Sequence, residues 1–528
     1  MTNNLSLSFY DQFLKKCIRL LAIVLAVIGG MATAGPVTGA SFADKVTASK
    51  AEESVTHGRV TVEGQKIDYT ATAGTIILKD DQGKPTGSMF YVAYVKRGIN
   101  DESTRPVMFF YNGGPGSSSV WLHMGAFGPV RVVTSDHTHT PAAPYGLVNN
   151  EYSLLDVTDA VFIDAMGTGY SRIIGKSEGG AGTRQDFYGV DPDIASFAQF
   201  ITRYLSENNR WNSPKYLYGE SYGTFRSAGL VNYLEQRDDI DVNGVVLQST
   251  VLTHLTNRFW PDNDLPYELF LPTYTATAWY HHRLPNQPAH LQPFLQEVRQ
   301  FALNGYAEAL NAGDSLSPGQ FAAIAQKLHD YTGLSTSYIE KADLRITDRE
   351  FFHQLLSDHD ETVGRLDSRF VGPSMDPLSE GSQYDPQSAA ISSAYAAAFN
   401  KYVHNTLKFG RNRTYLMGGN VYPWDMRHVN LLTRQPQSGY VSVAVDLAQA
   451  MKRDPNLQVL SQNGYFDIAT PYLGTIYILN HLSIPADLRA NIHFEFYKSG
   501  HMIYVHVPAL KKLHDTTAAF IRSTENDH

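Results

Sequence analysis

Five residues, Gly219-Glu220-Ser221-Tyr222-Gly223, carry the strongest chemical signal in the sequence. Small residues on either side of a serine let the backbone make a strained turn from strand to helix. Such a turn lifts the hydroxyl clear of the chain and leaves a backbone N–H behind it. This is the setting of an activated nucleophile whose oxyanion is held by main-chain donors. The flanks fit, since Lys215 to Tyr218 reads as a short aromatic-rich strand. Thr224 to Arg237 then carries Phe225, Ala228, Leu230, Val231 and Leu234 on a helical period. A bare Gly-x-Ser-x-Gly recurs by chance in long chains, so it is the flanks that make Ser221 a candidate nucleophile.

Other candidates gather at strand ends. Asn112-Gly113-Gly114-Pro115-Gly116 follows the apolar run Val107 to Tyr111. Glycines there let backbone N–H groups face a ligand, as an oxyanion hole requires, although a plain turn uses the same residues. Asn463-Gly464-Tyr465-Phe466-Asp467 follows the run Leu457 to Leu460, and Ser499-Gly500-His501-Met502 follows Ile492 to Tyr497. A serine, then an acid, then a histidine, each just past a strand, is the order of nucleophile, orienting acid and general base in one large hydrolase architecture. The chain has 19 histidines, and a loop histidine is usually solvated or capping; the adjacent glycine and the place one strand after the acid set His501 apart from His57 and His514. His137-Thr138-His139 and His281-His282 have no acid or histidine partner at ligand spacing, so no metal is assigned, and no cofactor is called for. Arg226, one helical turn past Ser221, is left open between substrate binding and a buried ion pair.

These residues need a frame. Alternating stretches at Arg59 to Glu63, Ile67 to Leu78 and Ser88 to Val95 predict antiparallel strands, separated by Gly64 and by Asp80 to Pro85. Continuous apolar runs at Val107 to Tyr111, Ala160 to Ile163, Tyr216 to Tyr218, Val242 to Leu247, Leu457 to Leu460 and Ile492 to Tyr497 predict strands buried on both faces. A helix opening at Asp191-Pro192 presents Ile194, Phe197, Ile201 and Leu205 on one face. The expected fold class is therefore α/β, with a central mixed, mostly parallel sheet flanked by helices. Between Leu252 and Arg453 the sequence turns helical, Ala-rich and aromatic, and strand-like runs resume at Leu457. That stretch reads as a helical cap insertion, giving a core of 56–251 and 454–528 with 252–453 inserted between.

Composition narrows the function classes. With 43 Lys plus Arg against 52 Asp plus Glu and no basic run in the mature part, a nucleic-acid partner has no support. A peptide or small acyl substrate is the expected partner. Lys15, Lys16 and Arg19 precede the apolar stretch Leu20 to Ile28, and Ala32-Thr33-Ala34 follows as a small-residue cleavage site. Residues 1–34 are thus expected to be a secretory signal peptide, too short in its apolar part for the ~20 residues of a bilayer span, with no membrane partner once removed. Residues 35–55, rich in Ala, Ser and Thr, read as a loose leader. The one cysteine, Cys17, lies in the signal segment, so the mature chain is expected to form no disulfide, as suits a bacterial periplasm or medium.

Four blocks together resemble the serine carboxypeptidase family of α/β-hydrolases, in the style of its bacterial exported branch: Asn112 to Ser118, Gly167-Thr168-Gly169-Tyr170-Ser171, Gly219 to Gly223, and Gly500-His501-Met502. The resemblance runs from about residue 60 to 520 and is weakest across the inserted stretch. It implies Ser221 as nucleophile, His501 as general base and acid, and Asp467 as the residue that orients and charges the imidazole. It also implies an oxyanion hole from the N–H groups of Gly114 and Tyr222. The family holds a substrate's terminal carboxylate with the asparagine of the first block, the Glu before the nucleophile and a second Glu further on. Asn112 and Glu220 match, but the second acid falls on Ala126 and the usual Trp partner on Phe110, while His123 lies close enough in sequence to supply a donor or a charge. The family's cysteines are replaced by Ser117 and Thr470.

The implied activity is a secreted serine-type carboxypeptidase working through an acyl-enzyme. An esterase or acyltransferase would keep the triad and lose the carboxylate site, and a non-enzymatic binding protein has no physical reason to retain the set. Without a partner acid, Glu220 is expected to show only a weak, low-pH preference for carboxylate substrates.

Overall fold

Alternation leaves one side to water along the first strand and the first half of the second, while the rest of the second strand and most of the third are buried on both sides. In the computed structural model, which describes residues 50–437 and 439–524, β1 (Glu53–Val62), β2 (Gln65–Lys79) and β3 (Pro85–Lys96) form an antiparallel meander. The end of the expected leader, 53–55, is already paired in β1. The signal-peptide segment and the rest of the leader up to residue 49 lie outside the described residues. Among the described residues no helix is long and apolar enough to cross a membrane.

The unbroken apolar runs become interior strands. β4 (Val107–Tyr111) is followed by a small hairpin, β5 (Val130–Val132) with β6 (Leu147–Asn149), and then by β7 (Asp159–Ile163) and the short β8 (Arg172–Ile173). β9 (Lys215–Glu220) and β10 (Gly244–Gln248) come next, then a ribbon of β11 (Glu361–Val363) and β12 (Val371–Pro373), and finally β13 (Gln458–Gly464) and β14 (Ile492–Tyr497). The main sheet has ten strands in the order β1-β2-β3-β7-β4-β9-β10-β13-β14, with β8 beside β3. Pairing is antiparallel as far as β7 and parallel from β7 to β14. Parallel register brings the carboxyl ends of β4, β9, β10, β13 and β14 to one rim, where open α/β sheets place their ligands.

Side chains alternate between two cores. Met108, Phe110, Tyr216 and Tyr218 face one, with α4 (Pro386–Asn405) and α7 (Val507–Thr524) against them. Phe109, Tyr111 and Leu217 face the other, against α1 (Val190–Glu207), α2 (Tyr222–Arg237) and α5 (Ala444–Arg453). Packing thus divides the stretch 252–453. Residues from α3 (Leu265–Tyr280) to Leu356 build a core of their own, joined by Ile468 and by Leu473 of α6 (Tyr472–Asn480). Helices α4 and α5 instead cover the sheet.

Candidate functional site

Ser221 occupies the single-residue turn between Glu220, the last residue of β9, and Tyr222, the first of α2, at φ 61° and ψ −130°. A side chain at positive φ costs about 1–3 kcal/mol, and it persists only where the surroundings enforce it. Here the Ser221 N–H donates to the Gln248 carbonyl at 3.0 Å, and its carbonyl accepts from the Thr224 N–H at 2.8 Å. Space enforces it too. A Cβ on Gly219 would lie 2.2 Å from the Gly223 carbonyl oxygen, and one on Gly223 would lie 2.8 Å from that of Tyr111. Gly113 passes so close over the start of α2 that a Cβ there would fall 2.3 Å from the Tyr222 nitrogen. Next to it, Gly114 sits at φ 105°. As the first residue of α2, Tyr222 has no intrahelical acceptor for its N–H, so this donor and the Gly114 loop adjoin in front of Ser221.

His501 and Asp467 come together as read from the sequence. The His501 Nδ1–H donates to Asp467 Oδ2 at 2.8 Å, with both residues buried. Three further donors satisfy the carboxylate: the N–H groups of Ala469 and Thr470 at 2.8 and 2.9 Å, and the Thr470 hydroxyl at 2.5 Å. Burial opposes protonation of His501, but attraction and hydrogen bonding from Asp467, with help from Glu220, hold its pKa above the ordinary imidazole value. Ser221 and His501 line one cleft of about 230 Å³ together with Asn112, Gly114 and Glu220.

Glu220 is only 4% exposed. Its Oε1 accepts from Asn112 Nδ2 at 2.8 Å and its Oε2 from Gln248 Nε2 at 3.0 Å. Asn112 is oriented in turn by the Leu122 N–H on its Oδ1 at 3.2 Å. Burial pushes the Glu220 carboxyl up to about 7, against the pull of His501 and Asn112. The premise of the expected weak, low-pH preference, that Glu220 lacks what would raise its pKa, is therefore corrected. A partner acid is one way to raise a carboxyl pKa, and desolvation does it here without one.

Residues 65–505 match the family model described as serine carboxypeptidase. The chain belongs to the serine carboxypeptidase family. It is 26% identical over 172 residues to serine carboxypeptidase-like 36 of Arabidopsis thaliana, an alignment spanning 31% of this chain and 32% of that relative. Among solved structures it is similar to a prohormone-processing carboxypeptidase of Saccharomyces cerevisiae, at 15% identity and a TM-score of 0.49, covering 85% of this chain and 92% of that one. It is also similar to a thermostable carboxyl esterase of Bacillus coagulans, at 11% identity and a TM-score of 0.34, covering 86% and 98%.

The positions where the chain departs from the family's pattern are part of the buried core. Ala126 is fully buried in the turn Leu122–Phe127, and Phe110 stacks on Phe162 at 4.8 Å within the core. His123 supplies no charge, because burial lowers its pKa to about 3; it stacks on Phe162 at 4.5 Å with Nε2 beside the Tyr94 hydroxyl at 2.7 Å. Arg226 resolves as a buried ion pair, donating to Asp193 at 2.7 and 3.2 Å, and its third donor holds the Asn112 carbonyl at 3.0 Å. His137 and His139 are exposed, and His281 donates to the Ser368 carbonyl at 2.6 Å. Gln248 is a site residue that sequence reasoning missed, and Thr470 was noted only as standing in place of a cysteine, since an amide at the end of a strand and a hydroxyl three residues after an acid carry no pattern of their own. Tyr504 is another that was missed, with its hydroxyl buried beside Glu220 but outside hydrogen-bond geometry.

Proposed function

We propose that the chain is a serine-type carboxypeptidase that releases C-terminal residues from peptides through an acyl-enzyme on Ser221. The observation that carries this reading is the meeting of Ser221, His501 and the buried Asn112–Glu220 pair in one cleft. Ser221 Oγ attacks the carbonyl carbon of the last peptide bond while His501 takes its proton, and Asp467 keeps the imidazole in the tautomer that accepts at Nε2. Charge growing on the carbonyl oxygen is met by the N–H groups of Gly114 and Tyr222. Collapse breaks the C–N bond as His501 passes its proton to the leaving amine. A water, deprotonated by His501, then cleaves the ester and restores Ser221.

Asn112 and protonated Glu220 bind the substrate's terminal carboxylate. A neutral carboxyl donates a hydrogen bond where an ionised one would repel, and a pKa of about 7 keeps Glu220 protonated in acidic medium. Ala126, in place of the family's second acid, favours an esterase or acyltransferase as the second reading, with Gln248 then a structural support of Glu220. The charged and apolar segments before Ala34 support export, and the lack of any cysteine after Cys17 supports membership of a bacterial exported branch.

A fluorophosphonate probe tests the nucleophile. We expect covalent labelling of Ser221, lost together with nearly all turnover in a folded Ser221→Ala protein, which keeps only what binding and the oxyanion hole supply. Wild-type turnover in that variant would remove the serine mechanism.

A further inference from the structure

Asp467 and His501 sit on separate loops, past β13 and β14, and their hydrogen bond depends on how those loops lie relative to each other. A third segment, Arg365 to Ser368 between β11 and β12 of the inserted stretch, is tied to both. The Arg365 carbonyl accepts from the Ile468 N–H at 3.0 Å, and the Ser368 N–H donates to the Phe466 carbonyl at 3.0 Å, one bond on each side of Asp467. The Leu366 carbonyl accepts from the His501 N–H at 2.6 Å. Asp367 Oδ2 accepts from the Gly500 N–H at 3.2 Å. Gly500 makes that approach possible, for a Cβ there would fall 2.4 Å from the Asp367 Cβ.

We propose that Asp367 is a positioning residue for His501, and that the segment Arg365–Ser368 braces the catalytic pair; the proposal rests on the triad reading above. Asp367 is fully buried and held rigidly, with Arg369 Nη2 on Oδ2 at 2.6 Å and Nε on Oδ1 at 3.0 Å. Arg369 reaches on to Asp136 at 3.1 Å, which anchors the pair at its outer end. The segment's other anchor is the Leu366 N–H on Asp385 Oδ2 at 3.1 Å. Asp385 caps α4, whose Ser388 and Ile391 line the cleft. One short segment thus joins the acid loop, the histidine loop and a wall of the substrate cleft. A catalytic group displaced by about 1 Å loses on the order of 100-fold in rate, so a residue that fixes the histidine loop acts on kcat without touching substrate.

The test compares Asp367→Ala and Asp367→Asn, each combined with Arg369→Met so that no unpaired guanidinium is left buried, against Arg369→Met alone. Asn keeps an acceptor for the Gly500 N–H and Ala does not. Thermal melting establishes that each variant is folded at the assay temperature. The readouts are kcat and KM on a blocked dipeptide, and the low-field proton resonance of the His501 Nδ1–H, assigned by its loss in His501→Gln. We expect the Ala variant to lose about tenfold or more in kcat with KM little changed, and its resonance to shift or broaden, while the Asn variant recovers most of both. Ala and Asn variants that match each other and Arg369→Met in kcat and resonance overturn the brace. A resonance that moves while kcat does not keeps the brace and removes His501 from catalysis, which separates the failure of this proposal from the failure of the triad reading.

Discussion

At the scale of single residues, the proposed chemistry rests on two carboxyl groups, one tested by substitution and the other by pH. Asp467 holds the His501 Nδ1–H, so Asp467→Asn should stabilise the wrong tautomer and lower kcat by about 10⁴-fold with KM little changed. A near-silent Asp467→Asn beside a damaging change at Asp454 or Asp487 would show that the acid is misassigned. Glu220 gives the second test. For a substrate with a free carboxylate, kcat/KM should rise as His501 loses its proton, above the ordinary imidazole value, and fall again as Glu220 ionises near about 7. For the matching peptide amide or ester, the alkaline fall should be absent, because no carboxylate meets Glu220. Identical profiles for both substrates would mean that Glu220 does not read the C-terminus. Ser221, Asp467 and His501 were legible as candidates because each stands in a local pattern of glycines and strand ends, whereas Asn112 and Glu220 were singled out for binding only through the family resemblance. The pKa of Glu220 was not legible, since it depends on burial by Gln248, Tyr504 and Asn112, which lie far apart in the chain.

At the scale of elements, the glycine loop and the nucleophile turn work as one unit. Gly113→Ala would place a Cβ 2.3 Å from the Tyr222 nitrogen and push the loop off the start of α2. Loss of one oxyanion donor costs about 10²–10³-fold in kcat, and we expect a fall of that order in a protein that still folds, read by steady-state kinetics beside thermal melting. A variant with unchanged kcat would place the oxyanion elsewhere. The sheet was legible wherever strands were apolar, from Val107–Tyr111 to Ile492–Tyr497. It was only half legible at β13, whose second half, Ser461-Gln462-Asn463, is polar in sequence yet fully buried. Those side chains are satisfied by partners from other elements, such as Thr250, Tyr497 and Thr475, and period-two patterning does not report such pairs.

For the whole molecule, the insertion between β10 and β13 is what local reasoning saw least well. Residues 252–453 read uniformly as helical and aromatic, whereas packing assigns α4 and α5 to the two faces of the sheet and leaves α3 and its neighbours as a separate core. The contacts that tie this stretch to the triad reach far along the chain, as between Asp367 and Gly500, 133 positions apart, and no periodicity marks them. The central claim is that this cleft removes residues from the free C-terminus of peptides. Its most direct test is to incubate the protein with a peptide library near pH 7, where Glu220 still holds its proton in part and His501 has begun to lose its own, in free-acid and C-terminally amidated forms, and to follow the products by mass spectrometry. We predict stepwise shortening from the C-terminus alone, much faster for the free acids, and none with Ser221→Ala. Internal cleavage, or equal rates for acids and amides, would contradict it.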